Sequence, residues 1–163
     1  MSDILYSFID ELTSDDDSVN QLIESLLVAE EGETITMTFR SCGGCVATMT
    51  AILNAMKLTK AKTVGILLSH AFSAATFVFL ACDEKVVCDH SCMMFHPSAA
   101  GMDGSWADIK ARSDAYKLSE KSLVQEYYSN FLTPKEIKKS GRQEVWLSAE
   151  QIRQRLALTS ELA

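Results

Sequence analysis

The sequence predicts an α/β fold on a largely parallel sheet, and three observations carry that expectation. Strand and helix patterns alternate over the first 82 residues, as strands joined by crossover helices do. Thr34-Ile35-Thr36-Met37-Thr38-Phe39 alternates polar with apolar β-formers, the period of a half-buried strand. The apolar run Val64, Ile66, Leu67, Leu68 leads directly into Phe72, Thr76, Phe77 and Leu80 at helical spacing, so a buried strand feeds a helix there.

Each element follows in order. Ile4–Ile9 reads as the first strand, and Ser14-Asp15-Asp16-Asp17 opens a helix with its acids at the positive end of the dipole. Val19, Leu22, Ile23, Leu26 and Leu27 form the inner face of that helix, and Gly32 ends it. After the Thr34–Phe39 strand, Arg40-Ser41-Cys42-Gly43-Gly44-Cys45 reads as a tight glycine turn. A helix follows with Val46, Met49, Ile52, Leu53 and Met56 inward, running to a loop at 57–62. The strand Thr63–Leu68 and the helix after Ser73 come next, then two short strands at Lys85–Cys88 and Cys92–Phe95. Pro97–Gly104 is small and carries no core pattern. Ser105 to about Leu132 holds the longest helical signal, but its apolar residues form no single stripe, which suits a helix projecting from the sheet. Thr133-Pro134-Lys135-Glu136 carries a cap, a first-turn proline and the returning Glu of a capping box. Val145–Leu147 and a last helix capped at Ser148 close the chain.

Composition narrows the function classes. The 163 residues, 47% hydrophobic and 23% charged, fit one domain with one core. A net charge of −7 lacks the basic footprint of a nucleic-acid binder. No apolar run reaches the ~18 residues of a membrane span, and the N-terminus has no basic, apolar leader. Five cysteines without an export signal suit a reducing cytoplasm better than a disulfide framework.

The residues with chemistry are few. Ser73 stands at a strand-to-helix junction, where backbone N–H groups and the helix dipole stabilise an anion; equally, a serine there serves as a helix cap. His70 precedes it, His90 lies in a polar loop and His96 ends an apolar strand. Glu144 precedes Val-Trp-Leu. Cys42-Gly43-Gly44-Cys45 has the spacing of a thiol redox site or half a zinc site, with Cys88, His90 and Cys92 as formal further ligands. The double glycine also suits the positioning of backbone N–H groups.

Taken together, Ser41-Cys42-Gly43-Gly44, Ala71-Phe72-Ser73, Ser91-Cys92-Met93-Met94-Phe95-His96 and Glu144-Val145-Trp146-Leu147-Ser148-Ala149 fall in an order that resembles the proteolytic subunit of the Clp protease family, from about Ile4 onward. Gly101–Gly104 and Ala107-Asp108-Ile109 extend the likeness. The resemblance implies a single domain over residues 1–163, folded as a Clp-protease/crotonase-like spiral of β-β-α units. A handle at about 97–132 would protrude from it.

It further implies a serine endopeptidase acting on peptides or unfolded polypeptides. Ser73 corresponds to the nucleophile, His96 to the general base and Glu144 to the acid that orients it. The N–H groups of Gly44 and Ala74 correspond to the oxyanion donors. Gly43, Ser98 and Ala99 line the walls along which an extended substrate lies. No cofactor or metal is implied. Heptameric rings, possibly stacked through the handle, would enclose the sites in the cytoplasm (a host's, were the chain viral), with an AAA+ ATPase as the feeding partner. Nucleic acid and membrane are not expected partners.

Departures from the family pattern are specific. Glu144 stands for the family's Asp, Cys42 for its Pro, Ala74-Ala75 for its Met-Gly and Leu156 for its Gly. The family's pore-lining N-terminal extension has no counterpart, which weakens the expectation of an ATPase partner. Two other readings stay open: a non-catalytic subunit with the same fold, and a crotonase-like acyl-CoA enzyme using paired oxyanion N–H groups.

Overall fold

A computed structural model describes residues 3–8, 11–13, 17–99, 101 and 103–160. The chain gathers into two compact units, residues 1–95 with 146–163 and residues 96–145.

The first unit is the sheet and its helices. Strand β1 (Asp3–Phe8) lies beside β3 (Thr34–Ser41), and β3 lies beside the long β5 (Lys62–Phe72), all parallel. The order continues through β7 (Cys92–Phe95) to β8 (Val145–Ser148), while β6 (Glu84–Val87) also pairs with β5. Two short strands, β2 (Glu11–Leu12) and β4 (Gly43–Gly44), form a separate parallel pair. Helices α1 (Asp17–Val28), α2 (Val46–Leu58), α3 (Ala74–Ala81) and α6 (Ala149–Ser160) complete the unit.

The alternation expected of Thr34–Phe39 is present: Ile35, Met37 and Phe39 are buried while the residues between them are half-buried. Phe39 meets Phe79 of α3 edge to face at 5.3 Å, an arrangement that suits the ring quadrupoles. In α1, Val19, Leu22 and Leu26 are buried, but Leu27 is exposed rather than inward. In α2, Met49, Ile52 and Leu53 are buried, whereas Val46 at the first turn is exposed. Cys82 is buried, a small apolar residue at the end of α3. Ile9 and the segment 14–16 lie outside the described residues.

Two departures from expectation shape the site. Strand β5 does not stop at Leu68 but runs on to Phe72. Its first half pairs with β6 through Val64–Leu67 and its second half with β7 through His70–Phe72. The helical spacing from Phe72 is therefore only half right, because cross-strand bonding captures Phe72 and the helix begins at Ala74. The glycine turn is also more ordered than expected: Gly43–Gly44 is a strand pinned to Glu11–Leu12.

The second unit is mostly helical. Ser105 caps α4 (Trp106–Leu123), which has no buried residue, and a five-residue π-helix, Val124–Tyr128, continues it. Phe131 and Leu132 are buried beyond it. Thr133 then opens α5 (Pro134–Ser140) with both halves of the expected capping box. No described helix is long and apolar enough to cross a membrane.

Candidate active site

Ser73 occupies the single residue between β5 and α3. Its backbone adopts φ 53° and ψ −125°. A non-glycine residue with positive φ stores strain of about 1–3 kcal/mol, held only where its surroundings over-determine it. Here they do. The Ser73 N–H donates to Met94 O at 2.9 Å, extending the β5–β7 ladder by one residue. The Ser73 carbonyl accepts both the Thr76 N–H at 3.0 Å and the Thr76 hydroxyl at 2.5 Å. A strained strand-to-helix turn of this kind lifts a serine hydroxyl out of the sheet, as a nucleophile elbow does. The helix-cap reading fails on geometry: the Ser73 side chain makes no capping bond to α3.

Gly43 packs directly on this junction. A Cβ added to Gly43 would stand 2.6 Å from Phe72 O, 2.8 Å from Ser73 Cβ and 3.0 Å from Ala74 N, and its φ of 97° also favours glycine. Gly44, at φ 138°, is pressed against Leu12 so closely that a Cβ would meet Leu12 N and O at 2.7 Å. The Gly43 N–H donates to the buried Ser41 hydroxyl at 3.1 Å, and the Cys45 N–H to Leu12 O at 2.8 Å. The start of α2 is thus anchored on one side by Leu12 and abuts the start of α3 on the other.

The structure therefore brings Gly43, Gly44, Ser73 and Ala74 together within the first unit. Phe72 meets Trp146 edge-on at 5.1 Å, and His70 stacks on Phe72 at 4.7 Å. Among the other expected residues, His96, Ser98, Ala99 and Glu144 belong to the second unit. His96 is half-buried directly after β7 and Glu144 is exposed directly before β8. The Ser98 hydroxyl donates to Glu120 of α4 at 2.7 Å, and Ala99 is exposed. His90 is exposed with φ 63°.

The cysteines Cys42 and Cys45 are both exposed. Hydrogen bonds from the backbone and hydroxyl of Thr48 lower the Cys45 thiol's pKa, as expected at a helix start. Among the described residues no three His, Cys, Asp or Glu side chains are grouped to hold one metal ion.

Sequence reasoning missed the residues that hold Ser73 in place. Thr76 looked like part of an apolar helix face, yet it is fully buried with its hydroxyl on Ser73 O. The Ser-x-x-Thr spacing from Ser73 was the available signal. Leu12 left no signal, because its role is a backbone clamp on Gly44 and Cys45.

The family model of the Clp protease matches residues 7–155 of this chain. That span contains β2 to β8, the starting residue of each helix among the described residues, and every residue named above for the junction. The mixed α/β architecture agrees with it, and the protein belongs to the Clp protease family.

Proposed function

We propose that the protein is a serine endopeptidase that cleaves peptides or unfolded polypeptides inside an oligomeric chamber. The observation that carries this reading is Ser73 itself: strained at φ 53°, fixed through its own N–H and carbonyl, and not spent as a helix cap. Backbone strain held at this cost serves the exposure of a reactive group better than it serves stability.

The roles given to the chain's other residues are those that membership of the family suggests. The Ser73 hydroxyl attacks the scissile carbonyl while His96 takes its proton. The carbonyl oxygen becomes negative and is met by the N–H groups of Gly44 and Ala74, each such donor typically being worth ~3 kcal/mol in the transition state. His96 returns the proton to the departing amine, and water repeats the sequence to release the acyl group. Glu144 holds the imidazole in the tautomer that accepts from Ser73; its extra methylene relative to Asp requires a retracted approach. Chain connectivity supports these assignments. His96 follows the strand whose Met94 carbonyl holds Ser73, and Glu144 lies two residues before Trp146, which packs on Phe72.

The substrate would lie extended between Gly43 on one side and Ser98 and Ala99 on the other, adding a strand. Rings of seven subunits, with α4 as the handle, and feeding by an AAA+ ATPase belong to the same proposal.

Hydrolysis of unfolded casein by the purified oligomer tests it. Wild-type protein should cleave, Ser73→Ala and His96→Ala should not, and Glu144→Asp should remain active while Glu144→Gln loses most activity. Hydrolysis that survives Ser73→Ala would overturn the assignment. An assembled wild-type oligomer that never cleaves would favour the non-catalytic subunit.

A further inference from the structure

A second group of reactive side chains lies beside the glycine strand, separate from the proposed triad. Cys42 is exposed, and its Sγ stands 3.7 Å from His70 Nε2, a sulfur-to-nitrogen hydrogen-bond distance. The other ring nitrogen, Nδ1, is 3.0 Å from the Ser69 hydroxyl. In the tautomer that donates Nδ1–H to Ser69 Oγ, Nε2 is an acceptor aimed at the thiol. The ring is further fixed by stacking on Phe72 at 4.7 Å. A thiol facing an imidazole whose far nitrogen is held by a third polar group is the arrangement of an activated cysteine.

We infer that Cys42 is a thiol–disulfide exchange site for small disulfides of the glutathione class, with His70 as its base and Ser69 as the positioning residue. The reaction balances without a further reagent. Cys42 Sγ gives its proton to His70 Nε2 and attacks one sulfur of the incoming disulfide, whose S–S bond breaks. The departing thiolate takes the proton from His70 and leaves as a free thiol. Cys42 is oxidised to a mixed disulfide and one half of the reagent is reduced.

The other cysteines are less suited. Cys82 is buried, and burial pushes its pKa up to about 12, while burial also raises that of Cys92. Cys45 is exposed and hydrogen bonds from Thr48 lower its thiol pKa, which makes it the competing thiol; what sets Cys42 apart is the imidazole nitrogen 3.7 Å from its sulfur.

This inference does not rest on the peptidase reading, and its test keeps the two apart. The full-length protein is incubated with oxidised glutathione, quenched at intervals, and each cysteine is quantified by peptide mass spectrometry. Cys42 should acquire glutathione first, and equally fast in Ser73→Ala. His70→Ala should slow Cys42 on the order of tenfold or more while leaving Cys45 unchanged. Because His70 also packs on Phe72, His70→Gln is measured beside it, with continued protection of buried Cys82 reporting an intact fold. Faster modification of Cys45 or Cys88 in the wild type, an unchanged Cys42 rate in the folded His70 variants, or a Cys42–Cys45 disulfide as the main product would each overturn it.

Discussion

Two serines stand at the same structural position, the residue before a helix, and do opposite things there. Ser105 precedes α4 with φ −67° and ψ 156°, and its hydroxyl accepts the Asp108 N–H at 3.2 Å. Ser73 precedes α3 with φ 53° and makes no such bond. The first conformation is the ordinary one for a cap and stabilises its helix. The second is strained and contributes nothing to the helix end through its side chain. Thr133, at the head of α5, sides with Ser105: it accepts the Glu136 N–H and its own N–H donates to Glu136. Where a helix start in this chain is structural, the hydroxyl is used up locally. At Ser73 the hydroxyl makes no such bond, and the backbone carries the turn instead.

That contrast can be broken in order of effect. Gly43→Ala should be the most damaging, since it adds a Cβ within 3.0 Å of Phe72 and Ser73 at a positive φ. Strain and overpacking together should cost roughly 3 kcal/mol, read as a lowered urea midpoint. Thr133→Ala removes a full capping box and should cost about 1–2 kcal/mol. Ser105→Ala removes a single exposed cap and should cost about 0.5–1 kcal/mol in the same measurement. Ser73→Gly should go the other way, stabilising the protein by about 0.5–1 kcal/mol through relief of the positive φ while abolishing peptidase activity. If Ser73→Gly instead destabilised the fold as a cap loss would, the distinction between the two serines would collapse.

How much of this was legible beforehand depended on the range of the interactions involved. The capping box at Thr133–Glu136 and the alternating strand Thr34–Phe39 are local patterns, and both appear in the structure as read. Ser73 was legible as a junction, because the apolar run ends and the helix begins on either side of it. Its strain was not, since that arises from Met94, about twenty residues away, and from Thr76 acting through a buried hydroxyl. The strand character of Gly43–Gly44 was hidden for a similar reason. Glycine has little intrinsic preference for strands, and the pairing partner is Glu11–Leu12 in a different part of the chain. The exposure of Leu27 shows the limit of periodicity alone: apolar spacing marks a face without stating how wide the buried part is. The roles proposed for His96 and Glu144 rest on the family order of motifs alone, because a histidine ending a strand and a glutamate beginning one carry no distinctive local pattern.

The most direct measurement is covalent labelling with a fluorophosphonate, with the modified residue located by mass spectrometry. A single adduct is expected on Ser73, none on Ser105, and none in Ser73→Ala or His96→Ala protein that remains folded and assembled. An assembled wild-type protein that takes up no label, or one labelled at a serine other than Ser73, would contradict the proposal of Ser73 as nucleophile.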